Sequence, residues 1–379
     1  MLAGSYYFLC PGIVYGLFTS RLPAVSENTG AEPKDLGLML FAAGCASMVS
    51  LIFTPAIIKK FTSRRLLPFY LLMLLVSILV LASCTTVWQL ILAAMMFGIF
   101  FGGMDTSMNT QGIVIENKFK KRCISGMHAF YGIGGILGAL VASAFAYFHI
   151  GPFINYAVIA VIVLAGIFPT ALKLVPDTEI FFGNPEEKIK RGGIFSLPCV
   201  VFLCGILCMC GFMVEGSVGE WGSVLLYSEK GASQSTAALV FATYYVTAVT
   251  ARLFTDRVVR RVNDYSVLLF GGLLCVFCMS MIILLDNPVL CLVFYAIMGF
   301  GLGPVVPLMF SRAGSVPGVS PADASALVSF LGYSGLLFFP PLLGYVAQIT
   351  GLAKALTLAI VLCVFIVLLS FALRRYKTQ

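Results

Sequence analysis

Apolar residues fill this chain in twelve long runs separated by short polar breaks. The runs cover about residues 3 to 20, 36 to 58, 66 to 84, 87 to 112, 124 to 148, 152 to 174, 197 to 218, 235 to 258, 265 to 285, 289 to 310, 324 to 348 and 352 to 373. A helix needs about 20 mostly apolar residues to cross a bilayer, so the pattern predicts an all-α membrane protein with twelve transmembrane helices. The one long polar interruption, Val175 to Phe195, carries Pro176, Asp177, Glu179, Pro185, Glu186, Glu187, Lys188, Lys190 and Arg191. It divides six helices from six, predicting bundles at 1–175 and 196–379 and a cytoplasmic linker at 176–195. A short amphipathic surface helix is expected around Glu186 to Arg191.

The two halves echo each other. Phe53 to Phe61 (FTPAIIKKF) matches Phe254 to Val262 (FTDRVVRRV) at an offset of 201 residues (254 against 53), and Cys123 to Leu137 matches Asp323 to Leu337 at 200 (323 against 123). An offset of about half the chain is the trace of two parallel structural repeats, an arrangement that puts a substrate site between pseudo-symmetric halves.

Composition sharpens this picture. Apolar residues make up 60% of the chain, charged residues 11%, and mean hydropathy is +1.01. Soluble domains carry roughly 25% charge, so a soluble protein is excluded. With both termini inside, every Lys and Arg except Arg21, Lys34, Lys230 and Lys354 falls on the cytoplasmic side, as the positive-inside rule requires. The net charge of +8 then describes a surface facing anionic lipid rather than nucleic acid. The first apolar run has no basic region ahead of it and no cleavage pattern before Arg21, and reads as an uncleaved helix.

Several chemistries are disfavoured. The twelve cysteines lie mainly inside apolar runs without His or carboxylate companions, which argues against a metal site and against a disulfide framework. No Walker pattern, zinc motif, catalytic triad or nucleic-acid module occurs, and the glycine-rich run at Gly132 to Ala139 follows no strand. Neither an ATP-driven pump nor an enzyme is expected, and no cofactor beyond a coupling proton.

Twelve helices, a central cytoplasmic loop and a basic turn repeated after helices 2 and 8 resemble the major facilitator superfamily over the whole chain. Ser20 to Leu40, Met104 to Glu116, Met127 to Ala139 and Glu215 to Leu226 resemble its YbjJ-like branch of bacterial inner-membrane transporters, near the fucose permeases. The resemblance implies a monomeric proton-coupled symporter working by alternating access. The family's inner-loop Asp and basic residue are Asp256 and Arg257 in the second half, whereas Pro55 and Ala56 stand there in the first. The first helix also lacks the buried Asp of the fucose permeases.

Polar residues inside apolar runs mark candidate chemistry, because a charge in a membrane helix costs about 2.5 to 3.5 kcal/mol on insertion scales. Helix 4 holds Asp105, Asn109 and Gln111, with Asp105 and Asn109 four apart on one face. His128 in helix 5 is placed to relay protons with Asp105 or Glu116. Helix 7 holds Glu215 and Glu220 near its expected outer end, with Trp221 beside them, and Arg21 at the end of helix 1 is expected to pair with either carboxylate as a gate. Tyr15, Gln111, Trp221, Tyr244, Tyr245 and Tyr333 are possible cavity contacts. Helix 10 has Gly301, Gly303, Pro304 and Pro307 where helix 4 has polar side chains, so the second half is expected to expose backbone carbonyls.

Together these residues predict a secondary transporter of a small organic solute, with Asp105 and Glu215 each able to take a proton as its own side of a cavity is hydrated. A neutral polar metabolite such as a sugar is the first expectation, since no deep basic cluster accompanies the amides, hydroxyls and aromatics. Proton-driven efflux of amphipathic compounds is the alternative, given the abundance of Phe and Met. A membrane receptor that kept the fold without turnover is a third.

Overall fold

A computed structural model describes residues 2–119, 123–177, 197–319 and 321–376, apart from the side chains of Asn117, Ser125, Pro321, Ala322, Asp323, Ala326 and Asp256. Among the described residues every regular element is a helix. The first six spans are α1 (Leu2–Ser20), α3 (Pro33–Phe61), α4 (Ser63–Ala82), α5 (Val87–Phe119), α6 (Ile124–Tyr147) and α7 (Pro152–Ala171), with the short α2 (Leu22–Thr29) after the first. Then follow α8 (Cys199–Ser228), α9 (Gln234–Val262), α10 (Asp264–Leu284), the broken pair α11 (Pro288–Leu302) and α12 (Val305–Gly314), and α13 (Pro321–Thr350). The last span is α14 (Leu352–Ala355) continued by α15 (Thr357–Arg374). Twelve helices are long and apolar enough to cross a membrane, so the fold is the twelve-span helical architecture that the hydropathy pattern predicts.

Helix starts follow local chemistry. Glu32 and Asp35 form a capping box around Pro33, with Glu32 N–H donating to Asp35 Oδ2 at 3.0 Å. Asn287 accepts from the N–H groups of Val289 and Leu290 at the start of α11. Several spans run past their expected ends. The seventh was expected to stop at 218 but continues through Gly219 and Gly222 to Ser228, which places Glu215 in mid-helix rather than near an end. In hydrocarbon, backbone N–H and C=O groups must bond within their own segment, so a helix continues through polar residues and glycines alike.

The chain divides into two compact units, Met1–Glu186 with Ser233–Ala242, and Glu187–Ala232 with Thr243–Gln379. Most of the expected linker, with its surface helix at 186 to 191, lies outside the described residues. In each unit, glycines let the fourth span touch the backbone of the second. A Cβ on Gly98 would lie 2.0 Å from Ala43 O, and one on Gly102 2.4 Å from Ser47 O. In the second unit a Cβ on Gly299 would lie 2.5 Å from Tyr244 O, and one on Gly303 2.6 Å from Ala248 O. All four residues of the second set stand 201 positions after those of the first (299 against 98, 244 against 43). The repeat seen in the sequence is therefore a repeat of packing. Pro340 and Pro341 sit inside α13, which is unbroken.

Candidate functional site

In the first unit, Asp105, Asn109 and His128 come together. The α-helical spacing stacks Asn109 one turn beyond Asp105, where its Nδ2 donates to the Asp105 carbonyl at 2.9 Å and to Asp105 Oδ1 at 3.2 Å. Its Oδ1 lies 2.9 Å from His128 Nε2, and the His128 ring stands edge-on to Phe8 with centroids 5.0 Å apart. With Nδ2 committed to Asp105, Asn109 Oδ1 is an acceptor, so His128 Nε2 carries the proton. His128 and Asp105 thus communicate through an amide that links their hydrogen bonds without itself passing a proton. The structure therefore brings His128 and Asp105 together through Asn109, without the contact that the expected proton relay between them would use. Glu116, the other expected relay partner, accepts from the N–H groups of Cys123 and Ile124 at 2.6 and 3.0 Å and so caps α6.

The second unit has a different centre. Glu215 in α8 is ion-paired with Arg252 in α9, whose Nη2 lies 2.8 and 3.1 Å from the two carboxylate oxygens. Arg252 Nε donates to Gly303 O at 2.9 Å. That carbonyl is free because its helical partner would be residue 307, and Pro307 has no N–H. The backbone irregularity expected in helix 10 is present, with its open carbonyl taken by an arginine. Close packing of Gly303 on Ala248, one turn before Arg252, brings α9 near enough for the reach. Tyr244, two turns before Arg252 on the same face, is fully buried, and its hydroxyl has no hydrogen-bond partner among the described residues. It lies within electrostatic range of both Glu215 and Arg252.

Arg252 is the residue of this centre that sequence reasoning missed. Charge counting sets it on the cytoplasmic side with the basic residues that follow, yet it lies inside the span Gln234–Thr255. A buried carboxylate in the preceding helix, needing a partner, was the available signal. The expectation that Glu215 or Glu220 pairs with Arg21 is replaced for Glu215 by this ion pair. Arg21 is itself buried and donates through Nη2 to Ile150 O at 2.6 Å.

Gln111 proves to be a fastening rather than a cavity contact. It is buried, with Nε2 donating to Val175 O at 2.9 Å and Oε1 lying 2.8 Å from Ser63 Oγ. Ser63 Oγ is also 2.9 Å from Asp177 Oδ1, which ties the first turn of α4 to the chain after α7. The second unit repeats this arrangement with charges. Arg312 donates to Asp264 Oδ2 through Nη1 and to Tyr376 O through Nη2.

The remaining candidates scatter. Tyr15 joins an aromatic cluster with Phe18, Phe101 and Phe241 at centroid distances of 5.6 to 6.4 Å, and Phe97 stacks on Phe18 and Phe101. Glu220 and the buried Trp221 border a narrow crevice with Ser217, Phe339 and Pro340, too tight to hold a solute. Tyr245 packs edge-on against Tyr244, and Tyr333 stacks on Phe212. Arg257 is exposed over the ring of Phe254 at 5.5 Å, and the side chain of Asp256 lies outside the described residues. Among the described residues no group of three or more His, Cys, Asp or Glu side chains is placed to hold a metal ion.

Comparison with known proteins fits this architecture. A sequence profile described as Major Facilitator Superfamily matches residues 7–340. An uncharacterised MFS-type transporter of Yersinia pestis is 29% identical over 366 residues, covering 96% of this chain and 92% of that protein. The crystal structure of the nucleoside transporter NupG superposes with a TM-score of 0.77 at 13% identity, covering 100% of this chain and 99% of NupG. A bacterial homologue of the human lysosomal transporter Spinster, in an inward-facing and occupied conformation, superposes with a TM-score of 0.77 at 11% identity, covering 99% and 96% of the two chains. At these identities the structural likeness is one of fold.

Proposed function

The chain belongs to the Major Facilitator Superfamily, a family of multi-pass membrane transporters rather than enzymes, and we propose that it is a proton-coupled secondary transporter of a small polar organic solute. The observation that carries this reading is the Asp105, Asn109 and His128 chain, a carboxylate inside a membrane span whose hydrogen bond leads through an amide to a histidine. Such a carboxylate in a membrane helix marks an ion or substrate pathway. When Asp105 takes a proton, Oδ1 becomes a weaker acceptor for Asn109, the amide shifts toward its bond with the Asp105 carbonyl, and the change reaches His128. Alternating access by rocking of residues 1–175 against 196–379, in a bacterial inner membrane with both termini cytoplasmic, completes the proposal.

The test uses protein reconstituted in liposomes enclosing a pH-sensitive dye and challenged with a library of polar metabolites. At least one metabolite is expected to move protons with it, and Asp105→Asn, which keeps the size and the bond to Asn109, is expected to abolish that movement. Undiminished solute-driven proton flux through Asp105→Asn would remove Asp105 from the coupling. A second reading, proton-driven efflux of amphipathic compounds, is favoured by the aromatic cluster around Tyr15. A library dominated by hydrophobic cations as the active members would select it.

A further inference from the structure

We infer that Arg252, Tyr244 and Glu215 form a carboxylate-recognition site, so that the solute is a small organic anion whose binding takes up one proton at Glu215, besides the proton at Asp105 in the transporter reading on which this rests. The geometry has three parts. Arg252 commits Nε to Gly303 O and Nη2 to Glu215, which leaves Nη1, and about a third of its side chain is open. Tyr244 offers a buried hydroxyl with no partner among the described residues, within electrostatic range of the same pair. Glu215 already occupies Arg252 with a carboxylate, the group that a guanidinium's planar fork fits best. It is thus a built-in competitor of the same chemical class as the solute.

Charge balance then fixes the stoichiometry. The resting pair sums to zero. A monoanion at Arg252 beside an ionised Glu215 would leave an unpaired negative charge inside the membrane span, which is costly. If Glu215 takes one proton from solvent as the anion arrives, the site again sums to zero. The solute carboxylate replaces Glu215 on Arg252 and accepts from Tyr244.

The other titratable groups on α8 and on the helices packed against it do not supply this proton or this charge, and Glu220, further along α8, borders the crevice beside Trp221. Cys208 on α8 itself and Cys363 on α15 are buried thiols, and Tyr295 on α11 is a buried phenol. Arg312 on α12 is held by Asp264, and Tyr333 on α13 is stacked on Phe212. Arg252 is the cation placed against Glu215.

The test compares matched pairs, D-glucuronate with D-glucose and benzoate with benzamide, by thermal melting of the purified full-length protein at pH 5.5 and 7.5, with proton uptake followed by a dye. A carboxylate is expected to raise the melting temperature where its neutral partner does not, with about one proton taken up per anion bound. Because binding is linked to proton uptake, the carboxylate should bind more weakly at pH 7.5 than at pH 5.5. Arg252→Gln is expected to abolish the effect. Because that variant strands Glu215 and can fail to fold, Glu215→Gln is the second arm, expected to bind the same carboxylate equally at both pH values without proton uptake. Equal stabilisation by the neutral partners, no carboxylate effect in wild type or Glu215→Gln, or proton uptake persisting in Glu215→Gln would each overturn the assignment. Anion binding without flux in liposomes would instead remove the transporter reading and leave this site standing, whereas flux of a neutral solute alone would do the reverse.

Discussion

At one end of each unit, three positions 201 residues apart hold the same geometry with different chemistry. Ser63, Gln111 and the Val175 carbonyl stand in the first unit where Asp264, Arg312 and the Tyr376 carbonyl stand in the second (264 against 63, 312 against 111, 376 against 175). In both, a long side chain reaches from the fourth span to the start of the third and to the carbonyl after the sixth. The neutral version needs help. Asp177 also faces Ser63, and one hydroxyl proton serves two acceptors in turn. The charged version has its anion built in at Asp264. The fold therefore specifies where the fastening sits, and the side chains decide how strong it is and what breaking it costs.

The largest expected effect is at the charged fastening. Arg312→Ala leaves Asp264 largely buried without its cation and should cost about 3 to 5 kcal/mol, against about 1 to 3 kcal/mol for Gln111→Ala, which strands only the neutral Val175 carbonyl while Ser63 keeps Asp177 as acceptor. Melting temperatures in detergent would rank the two, and equal losses would show that charge is not what separates the fastenings. A smaller difference is expected where backbones touch. Gly98→Ala puts a methyl 2.0 Å from Ala43 O and should cost about 1 to 3 kcal/mol, more than Gly303→Ala, whose methyl meets Ala248 O at 2.6 Å. The reverse order would mean that the first unit yields more easily than its packing implies. Smallest is the transplant. Ser63→Asp sets a carboxylate against Asp177 and should lose about 1 kcal/mol, which Gln111→Arg should restore in the double variant; a double-mutant cycle with no coupling would show that the second unit's chemistry does not transfer.

How much of this was legible depended on whether the signal lay along one helix or between helices. The twelve spans were legible because hydrocarbon thickness imposes a length, and the pairing of Asp105 with Asn109 because four residues make one turn. His128 joined them as predicted in company but not in manner, since no pattern along the chain says that an amide stands between imidazole and carboxylate. Gln111 and Glu116 were misread because a polar residue in a membrane helix looks the same whether it faces a solute or a helix end. Arg252 was hidden by its neighbours. Arg257, Arg260 and Arg261 follow it so closely that charge counting grouped it with them on the cytoplasmic side, although the run from 235 to 258 already contained it.

Pro307 withholds one hydrogen bond from the helix that contains it, and the consequence is mechanical. The joint between α11 and α12 lacks the bond from residue 307 to the Gly303 carbonyl, and what grips that carbonyl is a guanidinium belonging to another helix. A joint latched from outside can be unlatched without breaking any bond of its own. Whatever draws Arg252 away from Gly303, by even the length of a hydrogen bond, also releases the bend, so that occupancy at one side chain is felt as slack in a helix.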